Sequence, residues 1–345
     1  MAKMMAAVLH DFNKLELEDV ERPAPLAPGT VLVRIKSCGI CQTDYKAIKG
    51  IRRNVTFPLI PGHELVGTVE ALGDGVTRVK VGEQVSVNPN VNCGRCEFCL
   101  AGRPIHCTSL QGYGSNFPGF FAEYVVAPER LVFSTEGLPI DTAVFTEPAS
   151  CATHGLERIR VFPGSSALVF GAGPTGLLLA QLLKTGGAST VTVAAPTQFK
   201  LDRAKALGVD RTVLVRRGDP DGAQQAALDA SDGAGYDIVV EATGSTEIGE
   251  ICTPLTRNGG TVVLYGVTTD EETIAIHPYD VFRREISIVG SFAEITSFDA
   301  AIGFLRSGRI RTDGIITHRF GLDEYGAALD AVRSDATAHK VVIVA

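Results

Sequence analysis

The 345-residue chain has no basic run and no basic amphipathic stripe, and its 32 Lys and Arg are outnumbered by 39 Asp and Glu for a net charge of -7. Nucleic acid and anionic membrane surfaces are therefore poor partners. It also lacks any long apolar run. The longest are broken by Gly and Thr and fall well short of the roughly 20 residues that span a bilayer. The amino-terminal stretch MAKMMAAVLHDFNK has no apolar core of the kind an export signal carries, so a cytoplasmic location is expected. No internal repeat or low-complexity tract breaks the chain. In a cytosolic protein thiols stay reduced, so its eight cysteines are not expected to pair as disulfides. What remains is a soluble composition with enough length for two ordinary domains and a substantial core.

Four of the cysteines crowd into CGRCEFCLAGRPIHC, as Cys93, Cys96, Cys99 and Cys107. The pattern is C-x2-C-x2-C-x7-C. Four thiolates so spaced can close on one tetrahedral Zn²⁺ with every position filled by protein, which describes a structural rather than a catalytic site. The bacterial iron–sulfur run has a shorter last gap and a proline after its last cysteine, whereas Thr108 follows Cys107 here. Cys38, Cys151 and Cys252 stand alone and read as small buried side chains.

The first part of the chain alternates short apolar runs with Gly and Pro, as in VLVRIKSCGI, LVGTVEALG and VGEQVSVNP. These predict the short strands of a barrel-like β domain. From about Phe162 to Val289 the rhythm changes to strand, helix, strand: SALVFG, LLLAQLLKTG, STVTVAA, FKLDRAKALG, DIVVEATG. That βαβ order predicts a parallel sheet covered on both faces. After Phe292 come a helix, a turn, a second helix and a last strand, KVVIVA. The expected fold class is α/β with two domains. One is a β-barrel-like domain built from residues 1–147 and 293–345. The other, residues 148–292, is a doubly wound domain inserted into it.

Gly171-Ala-Gly173-Pro174-Thr175-Gly176 follows the strand SALVF and opens a helix. GxGxxG alone is weak, but between a strand and a helix it marks a dinucleotide site. The first glycine turns the chain, the second admits the pyrophosphate and the third lets helix and strand pack. The phosphates then meet the positive end of the helix. An NAD site usually has Asp or Glu at the end of the next strand, about 20 residues on, to bind the ribose hydroxyls. Here STVTV runs into Ala194-Ala195-Pro196-Thr197 with no acid. Ala195 leaves room for a 2′-phosphate, Thr197 can donate to it and Lys200 can supply charge. NADP(H) is the expected cofactor, with use of NAD(H) as well as the alternative, because the usual arginine is missing. Further along, the ends of parallel strands place Thr243-Gly244, Gly266 and Ser291-Phe292 where a cofactor binds.

Cys41, in GICQTD, and His63-Glu64, in PGHE, supply a thiolate, an imidazole and a carboxylate. That is a good donor set for a catalytic zinc with one position open. Taken together, GICQTD, PGHELVGTV, the four-cysteine lobe and GAGPTG appear in the order found in the zinc-dependent medium-chain alcohol dehydrogenases, which the chain resembles over essentially its whole length. The resemblance implies a GroES-like catalytic domain and a Rossmann coenzyme domain, with zinc, nicotinamide and substrate in the cleft between them. It implies Cys41 and His63 as zinc ligands, with Glu64 a ligand in some members. The remaining ligand position falls on Glu147, followed by Pro148, as in the sorbitol and polyol dehydrogenase branch. Thr43 matches the hydroxyl that passes the alcohol proton outward. Asp44 reads as structural, and His154 either orients the site or is satisfied on its own helix.

The implied activity is reversible hydride transfer between a secondary alcohol, of polyol type, and NADP⁺, with one catalytic and one structural zinc per chain. An NAD-dependent simple secondary-alcohol dehydrogenase and a nicotinamide-binding scaffold without turnover are the alternatives. Sorbitol dehydrogenases tend to carry Arg and Tyr after the last sheet strand. This chain has Ser291-Phe292-Ala293-Glu294 there, so a smaller polyol, a cyclitol or an amino sugar alcohol is open, with Glu294 able to bond hydroxyls. Tyr45, Phe57 and Phe117 are candidate pocket walls. The strand ISIVG offers an edge for sheet extension, and a homotetramer is expected, with a dimer as the alternative.

Overall fold

A computed structural model describes residues 2–52 and 55–345; Met1, where the reading of the amino-terminal stretch begins, lies outside the described residues. The chain separates into two units. The first comprises Met1–Ser150, Glu294–Arg306 and Ile316–Ala345; the second comprises Cys151–Ala293 and Ser307–Ile315.

The first unit begins with β1 (Lys3–Asp11), β2 (Lys14–Glu21), β3 (Thr30–Gly39), β4 (Glu64–Leu72), β5 (Gln84–Val87), β6 (Asn90–Val91), β7 (Gln111–Gly112), β8 (Tyr124–Pro128) and β9 (Val132–Ser134). The second unit holds β10 (Ser166–Phe170), β11 (Thr190–Ala195), β12 (Arg211–Leu214), β13 (Tyr236–Glu241), β14 (Thr256–Leu264) and β15 (Ser287–Gly290). The chain then returns to the first unit as β16 (Ile316–Gly321) and β17 (Lys340–Val344).

In the first unit, β3 is the hub of a seven-stranded sheet. One edge of β3 pairs with β4 along its length. The other pairs with β8 over Thr30–Arg34 and with β17 over Ser37–Gly39. Strands arriving from such separate parts of the sequence enclose one apolar core that includes Leu9, Val33, Ile35, Leu65, Phe120, Phe121 and Tyr325. Gly39 sits at the crowded end of β3, in register with Glu64 on one side and Val342 on the other.

The second unit is a six-stranded sheet in the order β12-β11-β10-β13-β14-β15, every neighbouring pair parallel. This is the doubly wound order of dinucleotide-binding folds, with its switch point beside β10. The residues of β10, β11 and β13 are almost all buried, as expected of strands covered by helices on both faces.

Two features differ from the sequence reading. The turn expected between the last two helices contains β16, a strand parallel to β17. As a half-exposed strand at the end of the sheet, Ile316–Gly321 sets His318 between Ile316 and Phe320 and lacks a clean alternation. The segment Ser307–Ile315 belongs to the second unit rather than the first. The side chain of Gln181 holds it there: its amide donates to the Arg311 carbonyl at 3.1 Å and its oxygen accepts from the Arg311 N–H at 2.9 Å.

Candidate active site and cofactor site

Cys41 ends the segment leaving β3 and caps the short helix Gln42–Ile48. His63 and Glu64 lie where the chain enters β4. Pairing of β3 with β4 therefore brings the three together, with one ligand atom from each inside a cluster 4.8 Å across. The Cys41 thiol donates to Thr43 Oγ1 at 3.6 Å, which places the expected relay hydroxyl beside the first candidate ligand.

Asp44, read from sequence as structural, has a more specific task. It is buried, accepts the Cys41 N–H at 2.9 Å and the Gly62 N–H at 3.1 Å, and stands 3.2 Å from His63 Nδ1. Bonding of Nδ1 to a carboxylate leaves Nε2 for a metal and fixes the ring. Burial works against charge on His63, but the Asp44 carboxylate outweighs it and holds the imidazole well above its ordinary range. The donor set is a thiol, an oriented imidazole and a buried carboxylate. Its chemistry fits Zn²⁺ with a place left for an exchangeable ligand.

Lys340, from β17, was not a sequence candidate. Its ammonium is ion-paired with the Glu64 carboxylate, and both side chains are buried. It also donates to the Ile40 carbonyl at 3.2 Å. A Cβ at Gly39 would lie 2.0 Å from Glu64 Oε2 and 2.7 Å from Lys340 Cε. Glycine at this position is what admits the pair.

Glu147 lies in the first turn of the helix Thr146–Arg158 and is buried, but it is not part of the Cys41–His63–Glu64 cluster. Its charge instead bears on Lys340 and Glu294. Glu294 is fully buried, and the Asn88 and Asn90 side-chain amides reach its carboxylate at 3.4 Å. Burial, then repulsion from Glu147, pushes its carboxyl up to about 8. This corrects the expectation that Glu294 could bond substrate hydroxyls: the residue braces the loop after β5. His154 bonds Glu157 on its own helix at 3.2 Å. Among the candidate pocket walls, Phe57 packs edge-on against Phe12 and Phe117 against Tyr113. Arg52 was also missed. Its guanidinium donates to Ser115 Oγ at 2.9 Å, and it is partly buried where the charges of Asp44 and Cys41 act on it.

Cys93, Cys96, Cys99 and Cys107 converge in the same way, with all four sulfurs inside 4.8 Å. Backbone amides point at these sulfurs: Cys96 N–H at Cys93, Cys93 N–H at Cys107 and Ser109 N–H at Cys107, all within 3.4 Å. Amides of Cys99 and Thr108 pull the Cys96 thiol down to about 6. A closed set of four thiols with backbone amides aimed at its sulfurs fits a structural zinc. Cys38 and Cys252 are buried in apolar surroundings that push their thiols far up, as inert packing residues.

In the second unit the three glycines of the loop do three different things. Gly171 has φ +112°, a left-handed turn. Gly173 caps the helix Pro174–Thr185, with Pro174 and Thr175 in its first turn, and a Cβ there would meet open space. At Gly176 a Cβ would lie 2.3 Å from the Gly171 carbonyl oxygen. Turn, open approach and close packing are the roles a pyrophosphate site needs. Ala195 ends β11 and is buried, Thr197 precedes the helix Gln198–Ala206, and Lys200 is on its first turn.

Beyond β13, Thr243 and Gly244 are organised by a residue the sequence reading passed over. The buried Glu241 carboxylate accepts from Thr243 N–H at 2.6 Å, from Gly244 N–H at 2.9 Å and from the Thr243 hydroxyl. A Cβ at Gly266 would strike Gly244 N at 2.2 Å and Glu241 Oε2 at 2.4 Å. The N–H of Ser291 donates to the Leu264 carbonyl at 3.1 Å, and Phe292 is exposed. All these residues follow the carboxyl ends of parallel strands, where such sheets bind ligands.

A parallel six-stranded nucleotide sheet, joined in one chain to a Cys–His–Glu cluster and a four-thiol lobe, defines a zinc-binding, nicotinamide-dependent oxidoreductase. Comparison with known proteins gives the family. Residues 27–137 match the alcohol dehydrogenase GroES-like domain, and residues 174–307 match the zinc-binding dehydrogenase domain. The chain belongs to the zinc-dependent medium-chain alcohol dehydrogenases, in the polyol dehydrogenase branch. It is 43% identical to D-arabinitol dehydrogenase 1 of Uromyces fabae over 88% of this chain and 87% of that one. A zinc-binding dehydrogenase from Sinorhizobium meliloti 1021, solved bound to NADP, superposes with TM-score 0.94 at 32% identity, covering 100% of both chains. An alcohol dehydrogenase from E. coli CFT073, solved with NADH, gives TM-score 0.91 at 29% identity, again over 100% of both.

Proposed function

We propose that this dehydrogenase interconverts a secondary alcohol of a polyol and the corresponding ketose, with NADP⁺ as the preferred hydride acceptor. The observation that carries the chemistry is the convergence of Cys41, His63 and Glu64 with the Thr43 hydroxyl beside them. Zinc held by Cys41 and His63, with Glu64 or Glu147, supplies the Lewis acidity that lets an alcohol lose its proton near neutral pH. A second zinc, held by Cys93, Cys96, Cys99 and Cys107, is structural.

The chain's own residues do the rest. Asp44 holds the His63 ring. Lys340 balances the buried Glu64 charge, so that the carboxylate costs less to keep away from water. Thr43 takes the alcohol proton and hands it outward. Arg52, on which the Cys41 charge acts, has a guanidinium with several donors, which suits a substrate with more than one hydroxyl. The polyol class is supported by the arabinitol-named relative and by Glu147-Pro148. The NADP⁺ preference is supported by the absence of an acid at the end of β11, where Ala195 stands, and by the NADP-bound neighbour.

We further propose a cytoplasmic homo-oligomer, a tetramer in preference to a dimer. Among the described residues β15 pairs only with β14, and Val267, Tyr279, Phe282 and Phe292 in the same unit are each more than 60% exposed. An unpaired edge beside apolar side chains suits sheet extension onto a second copy. No helix among the described residues is long and apolar enough to cross a membrane.

The test is an absorbance screen on zinc-replete protein that crosses NAD⁺ and NADP⁺ with pentitols, hexitols, cyclitols and simple secondary alcohols. Polyol turnover with NADP⁺ and its loss in Cys41→Ser are expected. Turnover only of simple alcohols, or a large preference for NAD⁺ in kcat/KM, overturns the corresponding half of the reading.

A further inference from the structure

The segments that follow β11 and β12 each carry a cation, Lys200 and Arg217, and among the described residues neither is ion-paired. The strands pair in register, Ala195 beside Leu214, and Val215 N–H donates to the Ala195 carbonyl at 3.1 Å. The chain leaving β12 therefore starts beside the point where β11 ends, and Arg217 follows two residues later. From the other side, the chain leaving β11 turns at Pro196 into the helix that carries Lys200. Lys200 is half-buried and Arg217 exposed. After burial, the nearby Arg217 charge is what lowers the Lys200 ammonium.

The acids of this region are engaged elsewhere. Asp202 accepts from the Gln198 amide at 2.7 Å, and Asp219 from Gly222 N–H at 2.9 Å. Asp210 pairs with Lys184 and Asp232 with Arg211. Among the described residues neither Lys200 nor Arg217 has a carboxylate partner. Two like charges so placed repel, and one multivalent anion between them turns the repulsion into attraction.

We propose that Arg217 and Lys200 together clamp the 2′-phosphate of NADP(H). Arg217 acts as a specificity residue supplied by the loop after the third strand of the sheet. This rests on the NADP(H) reading above. It supplies the arginine that the segment after β11 lacks. A guanidinium can bind phosphate through two parallel N–H bonds, and a lysine beside it adds a point charge. The small Ala195 side chain keeps the approach clear of a competing carboxylate.

The test measures binding of 2′,5′-ADP and 5′-AMP by calorimetry to zinc-replete wild type, Arg217→Gln and Arg217→Lys. Wild type should bind 2′,5′-ADP more tightly than 5′-AMP. Arg217→Gln should weaken 2′,5′-ADP by about tenfold, the loss of one charge-assisted contact, with 5′-AMP changed less than about twofold. Arg217→Lys should recover part of the loss. If wild type prefers 2′,5′-ADP and Arg217→Gln binds it equally well, the NADP(H) reading stands and the Arg217 assignment falls. If wild type shows no preference for 2′,5′-ADP, both fall.

Discussion

Lys340, in the last strand, is ion-paired with Glu64, the first residue of β4, and the two are buried together over a glycine. The pair joins the end of the chain to the candidate catalytic centre. Removing one member of a buried pair leaves the other charge without compensation, at a cost of about 3–5 kcal/mol. Lys340→Met should therefore lower stability by about that amount. Gly39→Ala should lower it by about 3 kcal/mol, because the added methyl occupies the Glu64 oxygen's place. Denaturant unfolding of zinc-free protein measures both, because a zinc held by Glu64 would itself offset that charge. A Gly39→Ala protein as stable as wild type would show that the pair does not need that space.

The two candidate zinc sites predict opposite phenotypes. Cys96→Ser should remove one zinc per chain and lower the melting temperature, because the lobe loses the ion that closes it. Cys41→Ser should also remove one zinc but abolish most turnover with little change in melting. Metal content by mass spectrometry, read beside thermal melting, separates them. Identical melting losses in both variants would contradict the division into structural and catalytic sites.

Ala195→Asp restores a carboxylate where NAD sites usually carry one. It should repel a 2′-phosphate and lower kcat/KM with NADP⁺ by at least about tenfold, while kcat/KM with NAD⁺ holds or rises. Steady-state kinetics with both cofactors reads this directly. An unchanged ratio would place the ribose contact elsewhere.

Asp237 at the start of β13 ties two strands together. It accepts from Ser166 N–H at 2.7 Å and Ser166 Oγ at 2.8 Å, and it faces Arg257 at 3.3 Å. Burial raises its carboxyl, but the Ser166 bonds and then Arg257 outweigh it and hold the group below its ordinary value. A group depressed on folding contributes stability above its unfolded value of about 4 and loses that contribution as pH falls through the lower folded value. Asp237→Asn should therefore melt lower than wild type at pH 7, and the two should converge as the pH drops below about 4. A constant gap down to strongly acid pH would mean that the charge is not what matters.

The candidate site residues were legible in the sequence because each sits in a local pattern. The four cysteines, GICQTD, PGHE and GAGPTG are runs in which spacing alone restricts what the side chains can do. The switch from alternating strands to a βαβ rhythm gave the fold class, because periodicity is a property of neighbouring residues. What surrounds those residues was not legible. Asp44 read only as structural, and the pairing of β3 with β4 is what set it against His63. Glu241 drew no notice in the strand DIVVEA, yet its buried carboxylate holds the loop it precedes. Glu294, beyond the last sheet strand, looked free to meet substrate and is sealed by Asn88 and Asn90.

By itself, then, the sequence determined the donor types, the glycine loop and the two-domain plan. Tertiary structure alone decided that Lys340 balances Glu64, that Gly39 makes room for them, and that the charge of Arg217, beyond β12, bears on Lys200. The physical reason is register. Which residues face each other across a strand pair depends on how distant segments align in space, and charge compensation between them follows from that alignment rather than from any local run.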